Sequence, residues 1–220
     1  HLMRELPFMA TSCCPAWSVM AKKLFPDFKP YISMALTPMV LTGRLIKKQK
    51  PDAKVVFIGP CAAKKLEASR KSVRSDIDFV LTFEEVMGMF EAKGIVLEQA
   101  MVDEPFAEGT ANGRGFAVSG GVANAVKQCI QKEHPDKEVL IDSAEGLKNC
   151  KTMLMMAKAG KRNGYLLEGM ACPGGCVAGA GTLQPVMKSS ALVKKYTNEA
   201  EKKLAFESEY LENLALITKE

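Results

Sequence analysis

Five of the seven cysteines in this chain fall in three short loops. The loops are Thr11-Ser12-Cys13-Cys14-Pro15, Gly59-Pro60-Cys61-Ala62-Ala63-Lys64-Lys65 and Met170-Ala171-Cys172-Pro173-Gly174-Gly175-Cys176. Each is bordered by glycine, proline or alanine, small residues that let backbone N–H groups approach sulfur and stabilise negative charge on a bound cluster. Four thiolates suit a cubane 4Fe–4S cluster or a closed zinc site equally well in number. Zinc sites more often use two C-x-x-C pairs. Here the one close pair is Cys172-x-x-x-Cys176, and the other cysteines are far apart in sequence. The spacing favours iron–sulfur over zinc and leaves redox or structural thiols as a third possibility.

The elements that must bring these loops together can be read from the apolar pattern. Residues 7–14 form a short strand running into a loop, and Pro15 opens a helix because a first helical residue needs no N–H. Trp17, Met20, Ala21 and Leu24 recur at helical spacing until Pro26. A helix is expected from Pro38 to Lys48, and a buried strand at Val55–Ile58, ending at Gly59-Pro60 with Cys61 next. Residues 78–81 form another strand. Thr82 and Glu85 make a capping-box pattern for a helix to about Lys93. Residues 105–121 are glycine-rich and expected as a loop, followed by a helix through Val122, Val126, Cys129 and Ile130. A strand at 139–141, a helix through Leu147, Cys150 and Leu154, and a strand at 165–167 lead to the last cysteine loop. Helices near 190–203 and 207–218 close the chain. Apolar strands alternating with helices predict an α/β fold of mostly parallel sheets flanked by helices. Cys61, Cys172 and Cys176 each follow a strand, and in such sheets the carboxyl ends of strands face the ligand site.

The bulk properties exclude several classes. Hydrophobic residues make up 47% and charged residues 25% of the 220, as in ordinary globular proteins. The net charge of +5 is scattered in pairs such as Lys22-Lys23, with no basic stripe interleaved with aromatics, so nucleic acid is not expected as a partner. No apolar run is long enough to span a bilayer, and the first residues lack the pattern of a secretory signal. A cytoplasmic setting, where thiols stay reduced, is expected, and an odd cysteine count argues against a disulfide framework. Cys129 and Cys150 read as core thiols on apolar helix faces. Lys65 reads as a surface lysine or as an ion-pair partner for Glu67, Trp17 as a packing anchor, and His134 as a weak ligand candidate.

The three loops resemble the three H-cluster signatures of FeFe-hydrogenases, T-S-C-C-P-x-W, P-C-x-x-K-K-x-E and E-x-M-A-C-x-x-G-C. They stand here in that order at Thr11–Trp17, Pro60–Glu67 and Glu168–Cys176. The similarity continues through Phe116 and Ser119-Gly120-Gly121-Val122 and covers most of the chain. The resemblance implies two lobes meeting at a metal-cluster cleft, with Cys14, Cys61, Cys172 and Cys176 as ligands of a 4Fe–4S cluster. Cys176 would also bridge to a di-iron subsite carrying CO, cyanide and an azadithiolate. Cys13 would be the first proton carrier, its ordinary thiol pKa of roughly 8.5 suited to transfer near neutrality. Ser33 aligns with the next relay hydroxyl. Lys64 would donate to a cyanide, and Pro60 and Met170 would line the cofactor. The implied activity is reversible dihydrogen oxidation and proton reduction, with a ferredoxin-type electron carrier or fused ferredoxin-like domains and maturation proteins as partners. Two alternatives are a hydrogen-sensing module of low turnover and a 4Fe–4S scaffold without the di-iron site.

Several positions depart from hydrogen-producing members of the family, which carry glycine at Ala16, methionine at Gly59 and glutamine at Met39. The last loop reads Gly179-Ala180-Gly181-Thr182-Leu183-Gln184-Pro185 instead of G-G-G-Q-P. These changes resemble divergent, sensory-type branches. Residues 1–220 are expected to represent the C-terminal portion of the H-cluster domain. An upstream lobe segment and ferredoxin-like domains are absent from this sequence, as is their C-x-x-C-x-x-C signature.

Overall fold

The computed structural model describes residues 6–100 and 108–217. The elements run β1 (Phe8–Ala10), α1 (Pro15–Leu24), α2 (Pro38–Gln49), β2 (Val56–Ile58), α3 (Ala63–Ala68), β3 (Phe79–Leu81), α4 (Phe83–Ala92), α5 (Ala111–Gly115), α6 (Gly121–Glu133), β4 (Leu140–Glu145), α7 (Leu147–Lys158), β5 (Tyr165–Met170) and α8 (Val186–Asn198). One sheet has the order β1-β5-β4 and a second pairs β2 with β3, and every pairing is parallel. This is the expected α/β architecture of parallel sheets flanked by helices.

Each sheet has its own core. Phe8, Trp17, Phe28, Ile32, Cys150 and Leu154 fill the first, and Met39, Val40, Val55, Val73, Ile77 and Val80 the second. β5 is the central strand of the larger sheet, and all but its first residue are buried, as a strand covered on both faces requires. The smaller sheet departs from the expectation of burial on both faces. Phe57 and Val80 turn inward, whereas Val56, Ile58 and Phe79 on the opposite face stay largely exposed, Phe79 at 60%.

Trp17 joins α1 to β5. The ring is fully buried, and a Cβ built on Gly169 would lie 2.1 Å from it, so only glycine lets the indole lie against the strand backbone. Its Nε1 donates to the Thr11 carbonyl at 3.0 Å, tying the helix to the loop that carries Cys13 and Cys14. The capping box at Thr82 and Glu85 forms as expected.

Three segments differ from expectation. The stretch 105–121 is not all loop: Thr110 caps the short helix α5, whereas 105–107 lie outside the described residues. The helix expected near 190–203 begins earlier, at Val186, and ends at Asn198. The last expected helix, 207–218, is replaced by 3-10 turns at Ala205–Glu207 and Leu211–Leu216, with residue 218 outside the described range. Leu211 and Leu216 are each 46% exposed, so this segment buries too little apolar surface to hold an α-helix.

Candidate metal centre

Cys13 and Cys14 sit between β1 and α1, Cys61 between β2 and α3, and Cys172 and Cys176 follow β5. Each loop thus leaves the carboxyl end of a strand, and the two sheets contribute to one place. The thiols feel one another electrostatically. Burial pushes the Cys176 thiol up to about 12, with the charges of Cys14, Cys61 and Cys13 adding to the rise. Cys172 is raised by burial and then by Cys14 and Cys61. Among the described residues, no three His, Cys, Asp or Glu side chains gather tightly enough for a single metal ion. A polynuclear cluster is larger than an ion and holds its ligands further apart. Thiols from three loops gathered at one place suit a cationic inorganic core, which deprotonates its ligands on binding. The donor set therefore fits a cubane.

The loops are shaped by close backbone contacts. Gly174 and Gly175 have φ of +96° and +95°, and a Cβ on Gly175 would come within 2.6 Å of the Ser119 nitrogen. The Ser119 N–H donates to Gly174 O and the Val177 N–H to Ala117 O, so residues 117–119 clasp the Cys172–Cys176 loop. Pro60 O accepts the Gly181 N–H at 2.9 Å, and a Cβ on Gly179 would lie 2.3 Å from that oxygen. These glycines are the ones kept in the divergent last loop. A backbone amide also reaches sulfur directly: the Ala171 N–H donates to Cys14 Sγ at 3.5 Å.

Lys64 is buried on α3, with its Nζ 2.7 Å from Glu67 and 3.4 Å from the Cys13 carbonyl. Glu67 therefore pairs with Lys64 rather than with Lys65, and Lys65 bridges to Glu85 at 2.8 Å. The reason is helical geometry: residues two apart face away from each other, and residues three apart share a face. Cys13 also departs from expectation. Burial, reinforced by the charge of Glu168, pushes its thiol up to about 11, so it holds its proton at neutral pH. Ser33 and Cys13 line one largely apolar cavity of about 380 Å³, together with Met9, Leu41, Phe116 and Val122. Ser33 Oγ accepts from the Ala35 N–H at 3.1 Å. Met170 is buried at the end of β5, and Pro60 lines a second apolar cavity of about 270 Å³ beside Cys176. Met39 packs into the smaller sheet's core.

Glu168 has a part that the sequence reading did not assign. It is fully buried on β5, and its carboxylate accepts the Gly120 N–H at 2.8 Å and the Ala123 N–H at 2.6 Å, capping α6. Burial raises its pKa despite these bonds. The available signal was a lone acid inside an apolar strand, which must find donors. Cys150 is buried as expected, whereas Cys129 is only half-buried and belongs to neither core.

Residues 1–180 match the family model of the iron only hydrogenase large subunit, C-terminal domain. The chain belongs to this family. The periplasmic Fe hydrogenase large subunit of Nitratidesulfovibrio vulgaris is 33% identical over 218 residues, covering 80% of this chain and 51% of that protein. The cytosolic Fe–S cluster assembly factor narfl of Danio rerio is 28% identical over 229 residues, covering 83% of this chain and 56% of that protein. The chain spans about half the length of the curated relatives it matches. A variant of the FeFe-hydrogenase HydA1 from Chlamydomonas reinhardtii shares the fold at a TM-score of 0.73 and 24% identity, covering 97% of this chain and 72% of that one. Among the described residues, no helix is long and apolar enough to cross a membrane.

Proposed function

We propose that this domain binds an H-cluster and serves reversible dihydrogen oxidation and proton reduction, with Cys14, Cys61, Cys172 and Cys176 holding the 4Fe–4S cubane. When bound, the cubane and its di-iron subsite, with CO, cyanide and azadithiolate ligands, supply the open iron position and bridging amine at which dihydrogen is split or formed. Cys176 would serve as a ligand shared by the cubane and the subsite. The observation that carries this reading is the buried Lys64, held by Glu67 and reaching the Cys13 carbonyl beside the thiols. A bare cubane requires neither a lysine nor a fifth cysteine there, whereas a cyanide ligand gains a charge-assisted hydrogen bond from a lysine. Pro60 and Met170 wall the site and exclude water. Cys13 Sγ, which rests protonated, would donate its proton towards the reacting centre and regain it from Ser33 Oγ on the same cavity. A ferredoxin-type carrier or fused ferredoxin-like domain exchanges the electrons, maturation proteins install the subsite, and the reduced thiols suit the cytoplasm.

The relatives named as cytosolic Fe–S assembly factors support a second reading, a cubane scaffold without the di-iron site. The full-length protein, loaded with a synthetic di-iron cofactor, separates the two. Infrared bands of bound CO and cyanide with hydrogen evolution or uptake are expected. A loaded cubane that repeatedly shows no such bands supports the scaffold, and bands without turnover overturn the enzyme assignment.

A further inference from the structure

A single peptide group, Met170–Ala171, lies between a buried thiol and a proposed cluster ligand. Its N–H, on Ala171, donates to Cys14 Sγ at 3.5 Å. Its carbonyl, on Met170, accepts two donors: the Gly146 N–H at 2.9 Å and the thiol of Cys150, whose Sγ is 3.5 Å away. Cys150 sits on the first turn of α7, is fully buried, and lies 3.3 Å from the Ala144 carbonyl as well. Its proton is thus shared between the carboxyl-end backbones of β4 and β5. Donors at a peptide oxygen polarise the group and strengthen the hydrogen bond made by its N–H. Hydrogen bonds to cluster sulfurs stabilise the reduced, more negative state and raise the reduction potential.

We propose that Cys150 is a positioning residue that tunes the cluster: through the Met170–Ala171 peptide it strengthens the N–H···S bond to Cys14 and holds the potential up. This rests on Cys14 being a cubane ligand, as proposed above. A buried core filler makes a different prediction, since volume alone would then matter and the S–H donor would not.

The test uses the full chain, reconstituted anaerobically with ferrous iron and sulfide, and reads the cubane's midpoint potential by redox titration followed by electron paramagnetic resonance. Cys150→Val keeps comparable bulk and deletes the donor. Cys150→Ser restores a donor. A potential more negative by the equivalent of a two- to threefold weaker reduction is expected for Cys150→Val, about 18–28 mV at 59 mV per decade for one electron. Cys150→Ser recovers at least half of that shift. Should Cys150→Val fail to take up the cluster, Cys150→Ala replaces it in the comparison with Cys150→Ser. Unchanged potentials, or equal shifts for the donor-deleting and donor-keeping variants, overturn the proposal while leaving the cluster assignment intact. An unaltered chain that takes up no cubane overturns the functional reading, and this inference with it.

Discussion

Gly169→Ala should disturb the link between the sheet and the cysteine loop. The added Cβ would lie 2.1 Å from Trp17 Cδ2, 2.4 Å from Cε2 and 2.5 Å from Cε3. An ordinary carbon contact is about 3.5 Å, so the ring has to retreat by about 1.4 Å. It has nowhere to go, because Trp17 is fully buried in a core formed with Phe28, Ile32 and Leu154. Overpacking of this kind costs about 1–3 kcal/mol. Breaking the 3.0 Å bond from Nε1 to the Thr11 carbonyl adds about 1 kcal/mol. A loss of about 3 kcal/mol corresponds to a fall in Tm of about 6–12 °C for a domain of this size. Calorimetry gives that number. Trp17 is the chain's single tryptophan, so its emission reports the displaced ring directly. Trp17→Leu removes the clash, and adding Gly169→Ala to that background should cost far less than it does alone. A Tm within about 1 °C of the unaltered protein, with unshifted emission, would show that the ring does not bear on this strand.

Glu168→Ala strips the acceptors from Gly120 and Ala123, and at about 1–3 kcal/mol for each stranded amide it should cost about 2–6 kcal/mol, seen as faster hydrogen exchange in the first turn of α6. Unchanged exchange there would refute the capping role. Lys64→Met leaves the buried Glu67 carboxylate unpaired and should destabilise by about 3–5 kcal/mol in urea titrations. Pairing it with Glu67→Gln should recover much of the loss. Asp78 is held at about 2, below its ordinary 3.8, by hydrogen bonds from Lys47 and the Val55 N–H. Its contribution is therefore complete above about pH 4 and fades as pH falls towards 2, so Asp78→Asn should flatten that part of the acid-stability curve.

The positions of the cysteine loops at strand ends were more legible in the sequence than the contacts that support them. Cys61, Cys172 and Cys176 follow short apolar runs, and strands ending in small-residue loops are legible from local pattern alone. The alternation of elements was enough for a parallel α/β fold. Long-range partners were not legible. The pairing of Lys64 with Glu67, and of Lys65 with Glu85 on another helix, depends on helix faces and on how α3 meets α4. The raised thiol of Cys13 depends on burial and on Glu168, which is 155 positions away in sequence. Glu168 itself looked like one letter of a motif because its donors come from α6. The helix expected at 207–218 does not form because the segment's leucines have little core to bury against, which local pattern does not show.

The most direct test is iron and sulfide content, with Mössbauer spectra, of the anaerobically reconstituted full chain and its single cysteine variants. One 4Fe–4S complement per chain is expected, lost or strongly depleted on replacing Cys14, Cys61, Cys172 or Cys176 by alanine and retained in Cys129→Ala. A full, spectroscopically unaltered cluster that survives removal of any of those four sulfurs would contradict the account.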